Sequence, residues 1–143
     1  MANHPMATGA LKEFIRGETE RILRDCTECG KCFEACPMRQ YSAPLTDAEP
    51  GVAAAGILSI LRGEHSTPQA LGWVSVCMHS GMCVPACPEN VNPKMMVRIA
   101  RMIASGGLGG PRQISTRNDR DYFDRIRAFA KLQLTEEEIG NWL

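Results

Sequence analysis

The chain has 143 residues, of which 44% are hydrophobic, so it can bury one modest core but is short for two independent ones. Its 16 Lys and Arg residues balance its 16 Asp and Glu residues, which leaves no net charge to attract nucleic acid or an anionic membrane. The longest nearly apolar stretch, residues 51–61, is too short to span a bilayer, and no secretory leader is recognisable. We therefore expect a cytoplasmic protein with no nucleic-acid partner and no transmembrane segment.

The apolar pattern predicts an all-α fold, since no segment shows a convincing strand pattern. Residues 1–9 lack periodicity and are expected to form a disordered N-terminus. Apolar residues then recur with a helical period over residues 11–25 and fall on one face of the predicted helix: Leu11, Phe14, Ile15, Ile22 and Leu23. Further helices are predicted at about 50–62, 67–77 and 92–106. Three of these begin with a proline, Pro50, Pro68 or Pro93, in an early position that favours proline. Residues 10–105 are thus predicted to form one helical domain.

Residues 106–111 contain Gly-Gly-Leu-Gly-Gly-Pro, which predicts a break or flexible joint because glycine loses much entropy in a helix. Residues 112–143 are predicted to be a C-terminal helical appendage. Its first helix is expected from about Asn118 to Leu132, and Thr135 with Glu138 predicts a capping box that opens a short last helix. The aromatic and arginine side chains of this appendage are types enriched at protein interfaces, so it is a candidate docking surface for a partner.

Seven cysteines are a large excess for this length, and an odd number without a leader disfavours a disulfide framework. The first group is Cys26, Cys29, Cys32 and Cys36 followed by Pro37, which is the C-x2-C-x2-C-x3-C-P run of bacterial cluster-binding proteins. Its first three thiolates can hold one 4Fe-4S cluster, whereas in two-cluster proteins the fourth cysteine ligates the other cluster. A second cysteine group is therefore expected downstream.

That second group is Cys77, Cys83 and Cys87 followed by Pro88, with Ser80 standing where another cysteine is expected. Structural zinc also uses paired cysteines, but it favours two separated pairs that close a tetrahedron around one ion. Three cysteines in one tight run followed by Cys-Pro fit zinc poorly. The two groups together therefore predict two iron–sulfur clusters.

Exchange of the fourth ligands between the groups predicts the composition of each cluster. Cluster one, a 4Fe-4S cluster, is assigned to four cysteines: Cys26, Cys29, Cys32 and Cys87. Cluster two keeps Cys36, Cys77 and Cys83, and three thiolates match a 3Fe-4S cluster. The alternative is a second 4Fe-4S cluster whose fourth iron is bound by Ser80, His79 or an exogenous ligand.

Over about residues 11–105, the two runs and the following segment Glu89–Pro93 resemble alpha-helical ferredoxins. The second run and its Asn92-Pro93 helix start are similar to the iron–sulfur subunits of succinate dehydrogenase and fumarate reductase, which implies a 3Fe-4S cluster. Those subunits carry a further plant-type domain, whose C-x4-C-x2-C run is missing here. The chain as a whole more closely resembles the short two-cluster subunit of heterodisulfide reductase and its bacterial homologues, although that subunit in methanogens has four cysteines in both runs.

The resemblance implies an electron-transfer subunit that is not catalytic alone and works in a hetero-oligomer. It would relay single electrons between a donor, such as a flavoprotein, and a catalytic oxidoreductase subunit with cysteine-rich domains. The sequence itself contains no glycine-rich dinucleotide motif and no recognisable nucleophile with its base. The alternatives are a free-standing dicluster ferredoxin, a component of the succinate dehydrogenase or fumarate reductase type, and a redox-sensing regulator, for which no DNA-binding pattern is present.

Overall fold

The computed structural model describes residues 5–142 of the chain and the side chains of residues 9–141. Its α-helices are α1 (Pro5–Asp25), α2 (Lys31–Glu34), α3 (Ala43–Thr46), α4 (Pro50–Arg62), α5 (Pro68–Val76), α6 (Pro93–Ala104), α7 (Tyr122–Ala130) and α8 (Glu136–Trp142). Two short 3₁₀ turns are added at Arg39–Tyr41 and Thr116–Asn118, and no strand occurs within residues 5–142. The predicted all-α class is therefore confirmed. None of the described helices is both long and apolar enough to cross a bilayer.

The first helix begins earlier than its apolar pattern indicates. Residues 1–4 of the expected disordered terminus lie outside the described residues, and α1 starts at Pro5. Its buried side chains are Ile15 and Ile22, whose spacing of two helical turns places them on one face. Leu11 and Phe14 were expected on the same face, but they are 54% and 52% exposed.

The helices α4, α5 and α6 begin where they were predicted because the sequence supplies both a proline and a cap. In each, the residue before the proline accepts a hydrogen bond from a backbone N–H of the first turn, which has no partner inside the helix. The N–H of Val52 donates to the side chain of Glu49 at 2.8 Å, that of Ala70 donates to Thr67 at 3.2 Å, and that of Met95 donates to Asn92 at 3.1 Å.

The core lies around α4, which packs against α1, α2, α5 and α6. Its buried side chains include Ile57, Leu58 and Ile60, and those of the neighbouring helices include Trp73 and Met96. Full burial of side chains of this size contributes about 1.5–3 kcal/mol each. The packing therefore fixes the end of α1, the end of α5 and the start of α6 relative to one another. The first cysteine run follows α1, and the second lies between α5 and α6.

The glycine-rich segment caps α6 rather than leaving it open. Gly106 has φ 77°, and its N–H donates to the carbonyl of Ile103 at 3.0 Å. The N–H of Gly107 donates to Met102 at 2.8 Å, which completes a Schellman motif, and that of Gln113 returns to Ala104 at 2.7 Å. The segment predicted as a flexible joint is thus hydrogen-bonded to the end of α6. The first of two compact units of the chain extends through Gln113, and the second begins at Ile114.

The second unit contains α7 and α8, and α7 begins later than predicted. Asn118 belongs to the preceding 3₁₀ turn, whereas the carboxylate of Asp119 accepts a hydrogen bond from the N–H of Asp121 at 3.2 Å and pairs with the buried Arg125. These contacts hold residues 119–121 outside the helix. The capping box of α8 is confirmed, since Thr135 N–H donates to Glu138 Oε2 at 2.8 Å and Glu138 N–H donates to Thr135 Oγ1 at 3.3 Å.

Candidate metal centres

The first cysteine run leaves the end of α1 and turns sharply before α2. The N–H of Cys26 still donates to the carbonyl of Ile22 at 3.0 Å, so its position is set by the last turn of the helix. Glu28 and Gly30 then have positive φ values of 59° and 75°. A Cβ on Gly30 would lie 2.3 Å from the carbonyl carbon of Pro50, so the loop backbone is pressed against the start of α4. Only glycine satisfies both conditions at this position.

The second run repeats the backbone conformation of the first. His79 and Gly81 lie two and four residues after Cys77, as Glu28 and Gly30 lie two and four residues after Cys26, and their φ values are 58° and 81°. In both loops the sulfur of the first cysteine accepts a hydrogen bond from the backbone N–H two residues further on. Glu28 donates to Cys26, and His79 donates to Cys77. The two runs are therefore two copies of one loop structure, each with an amide directed at a sulfur.

Four cysteines line one pocket of about 320 Å³, open volume included: Cys26, Cys29, Cys32 and Cys87. Three come from the first run, and Cys87 comes from the end of the second. Ala54 of α4 and Met96 of α6 add apolar walls. Cys32 is buried and Cys29 is exposed, so this pocket reaches the surface on one side.

The other three cysteines line a second pocket of about 350 Å³: Cys36, Cys77 and Cys83. Here the exchange is reversed, since Cys36 ends the first run and the other two belong to the second. Trp73 and Val97 supply apolar walls, and His79 and Ser80 also line the pocket. All the candidate site residues named from the sequence are thus brought into two pockets, each of which combines cysteines from both runs.

Burial raises the pKa of several of these thiols. The pKa of Cys32 rises to about 12, and those of Cys26, Cys77 and Cys83 also rise. Burial is the largest cause of each rise in pKa. A further cause is the proximity of another thiol: Cys87 raises the pKa of Cys26, and Cys36 raises those of Cys77 and Cys83. Grouped thiols of this kind remain protonated in the absence of compensating positive charge. A bound metal supplies that charge and deprotonates them.

An iron–sulfur cluster takes one thiolate at each of several irons, so its ligands surround a volume rather than a single point. Cysteines on several sides of a pocket, with amides directed at sulfur, fit that requirement. Within the part of the chain that the structure describes, no three His, Cys, Asp or Glu residues converge as ligands of one metal ion. All seven cysteines are free of disulfides.

The two additional candidate ligands differ in their surroundings. Ser80 is exposed, and its hydroxyl accepts a hydrogen bond from the N–H of Met82 at 3.5 Å. His79 is half-buried, and its Nδ1 is buried without a hydrogen-bond partner. A buried polar atom without a partner costs free energy unless a bound group satisfies it. Burial also lowers the pKa of His79, and the charges of Arg101, Arg98 and Lys94 lower it further.

Sequence analysis missed two groups of residues near the pockets. Arg101 of α6 donates from Nη1 to the carbonyl of Cys77 at 3.2 Å and so fixes the start of the second loop. Phe33 stacks edge-on against Trp73 with ring centroids 5.0 Å apart, and Arg39 lies 4.7 Å above the Phe33 ring. The contacts of Arg101 with Cys77 and of Phe33 with Trp73 join residues far apart in the chain, and no local spacing indicates them. Trp73 could have been noted only as an apolar residue close to Cys77.

Comparison with known families agrees with the geometry of the two pockets. Residues 22–91 match the model of the 4Fe-4S dicluster domain family, and this segment contains all seven cysteines. The match supports an iron–sulfur, ferredoxin-like domain with a role in electron transfer. No curated protein and no solved structure matches the chain.

Proposed function

We propose that this chain is the electron-transfer subunit of a heterodisulfide-reductase-like oxidoreductase complex and relays single electrons between a donor and a catalytic partner. The observation that carries the proposal is the exchange of cysteines between the two pockets. Cys87 lies with the first run, and Cys36 lies with the second, which is the ligand pattern of two-cluster ferredoxins.

Cluster one is proposed as a 4Fe-4S cluster bound by four cysteines: Cys26, Cys29, Cys32 and Cys87. Cluster two is proposed as a 3Fe-4S cluster bound by Cys36, Cys77 and Cys83, with a second 4Fe-4S cluster as the alternative. The presence of only three cysteines among the residues that line the second pocket supports the 3Fe-4S form. The unpartnered Nδ1 of His79 supports histidine rather than Ser80 as the extra ligand in the alternative form.

Iron–sulfur clusters supply one-electron chemistry, and the residues of this chain would control it through position and surroundings. The buried pair Phe33 and Trp73 packs beside Cys32 and the second pocket, so it would hold the two ligand sets at a constant separation. The amides of Glu28 and His79 donate to ligand sulfurs, which stabilises negative charge there and raises the reduction potential.

Substrate chemistry is proposed to belong to a partner. The resemblance to the short two-cluster subunit of heterodisulfide reductase implies a catalytic subunit with cysteine-rich domains, a flavoprotein donor, or both, in a hetero-oligomer. The chain itself would make and break no substrate bond. Thiols and apolar side chains form most of the lining of both pockets, and such a lining suits bound iron–sulfur clusters.

The test of this function is a comparison of Cys87→Ala with Cys36→Ala after anaerobic reconstitution. Cys87→Ala should remove the 4Fe-4S signal of cluster one, although the other ligands of that cluster lie in the first run. Cys36→Ala should instead remove the paramagnetic signal of the oxidised 3Fe-4S cluster. Electron paramagnetic resonance and iron content measure both outcomes. Loss of only the second signal in Cys87→Ala would show that the ligands are not exchanged.

A further inference from the structure

The loop around the second pocket exposes apolar side chains. Met78, Met82 and Val84 are 45%, 58% and 39% exposed, and Met78 also lines the pocket. Methionine side chains adapt their shape readily and are common at surfaces that contact other proteins. The backbone of this loop turns at Gly81, which has φ 81°, and the N–H of Val84 donates to the carbonyl of Gly81 at 3.0 Å. The apolar residues are therefore presented on an ordered loop.

Three basic residues of α6 lie beside this loop. Lys94, Arg98 and Arg101 are separated by four and three residues, which places them on one face of the helix. Lys94 lines the second pocket, and Arg101 donates to the carbonyl of Cys77. Together with the exposed side chains of Met78, Met82 and Val84, these residues are named the second-pocket face.

The surroundings of the first pocket differ in charge. Glu89 lines that pocket, and Glu28 lies in its loop, and both are exposed. Glu28 forms an ion pair with Arg62 at 3.8 Å, and the exposed Lys31 stands in the same run of cysteines, so acidic and basic groups offset one another there. Each pocket therefore meets the surface through residues of a different kind, which are mixed in charge at the first pocket and basic and apolar at the second.

We infer that the second-pocket face docks a redox protein whose contact surface has an apolar centre and an acidic rim. This inference rests on the proposed electron-transfer function. An apolar patch bordered by arginines is the composition of a protein interface, and opposite charges accelerate encounter. In each productive encounter one electron leaves the reduced chain, and the oxidised partner takes up that electron.

The experiment uses the reconstituted, reduced full chain and two oxidised acceptors, an acidic flavodoxin and a basic cytochrome c. Stopped-flow absorbance gives the second-order rate of electron transfer at low and at high salt. At low salt, Arg98→Gln should slow transfer to flavodoxin about threefold and Arg98→Glu about tenfold, and both differences should vanish at high salt. Met82→Ala should slow transfer at both salt concentrations, because salt does not screen an apolar contact.

Arg16 on α1 is the matched control, since it is also an exposed arginine on a helix. Arg16→Gln and Arg16→Glu change the net charge by the same amounts as the corresponding Arg98 variants and should leave the rate unchanged. Three results would each overturn the inference. These are equal effects at positions 16 and 98, no effect at position 98, or transfer that is faster to cytochrome c than to flavodoxin and is slowed by Arg98→Glu. A chain that binds no iron, or delivers no electron to either acceptor, would instead overturn the proposed function.

Discussion

Gly30 and Gly81 occupy equivalent places in the two cysteine loops, but the structure constrains them differently. Both have φ near 80°, where a side chain is strained. A Cβ on Gly30 would also overlap the backbone at Pro50, whereas a Cβ on Gly81 would meet only the Cδ of Lys94 at 3.9 Å. The backbone angle is therefore a shared requirement of the loop, and the close approach is particular to the first pocket.

These two glycines give a matched pair of variants. Gly81→Ala should destabilise the reconstituted protein by about 1–2 kcal/mol, which is the cost of the left-handed conformation for an ordinary residue. Gly30→Ala should cost about 1–3 kcal/mol more, because the loop must also move away from α4. Urea unfolding of both variants, followed by circular dichroism, measures the difference. Equal midpoints would show that the contact with Pro50 yields without cost.

Ser80 stands three residues after Cys77, as Cys29 stands three residues after Cys26, and both are exposed at the edge of a pocket. Ser80→Cys would therefore restore the eighth thiolate. The iron content should rise from about seven to about eight per chain, and the signal of the oxidised 3Fe-4S cluster should disappear. If the unaltered chain already holds eight irons and lacks that signal, the 3Fe-4S assignment is wrong. His79→Ala and Ser80→Ala would then identify the extra ligand.

Among single residues, the cysteines are the ones that the sequence could propose as cluster ligands, because cluster binding depends on spacing along the chain. Arg101 could not be identified in this way. Its contact with the carbonyl of Cys77 depends on how α6 packs beside the end of α5, and that packing follows from the whole core.

The helices show which signals in a sequence are local. Helix starts at Pro50, Pro68 and Pro93 were predicted well, because a proline and a capping side chain act within one turn. The exposed face of α1 was predicted poorly, because burial depends on which helices pack against it and not on its own periodicity. The glycine-rich segment was predicted as a joint, although the same glycines allow the hydrogen bonds that cap α6.

The capping box of α8 gives an expectation for pH. The backbone N–H and the hydroxyl of Thr135 donate to Glu138 and lower the pKa of its carboxyl below the ordinary value of 4.5. When the pKa of a carboxyl is lower in the folded state than in the unfolded state, its ionised form stabilises the helix fully at pH values above the unfolded-state pKa. That stabilisation is lost as pH falls through the lower, folded value. Hydrogen exchange at the Thr135 amide should therefore quicken, relative to its intrinsic rate, only below about pH 4.5. In Glu138→Gln this step should be absent.

On the scale of the whole molecule, the chain divides after Gln113, two residues beyond the start of the predicted appendage. The N–H of Gln113 still donates to the carbonyl of Ala104, so residues 112 and 113 belong with α6. Among the side chains of the second unit that the structure describes, Phe123, Phe129 and Leu132 are large, apolar and exposed, at 67%, 50% and 80%. Its proposed role in docking the catalytic partner rests on this exposure and on its arginines.

Removal of residues 114–143 tests that role. The truncated chain should keep both clusters, since every candidate ligand lies before residue 88, and it should no longer co-purify with the partner subunit. Visible absorption and iron content report the clusters, and affinity purification from the native source reports the partner. A cut at residue 111 is a useful comparison, because it also removes the hydrogen bond to Ala104. Loss of the clusters on removal of 114–143 would assign the second unit to the core.

The exchange of cysteines between the pockets also has a consequence for how the holoprotein assembles. Closing the chain between residues 36 and 77 costs conformational entropy that grows with the logarithm of loop length. Each pocket contains cysteines of both runs, so the first cluster to form would already close this loop. The entropy cost of closure would then not recur when the second cluster forms. The second centre would then find its ligands already gathered. Under limiting iron, such a chain would be found either empty or doubly loaded, and singly loaded molecules would be scarce.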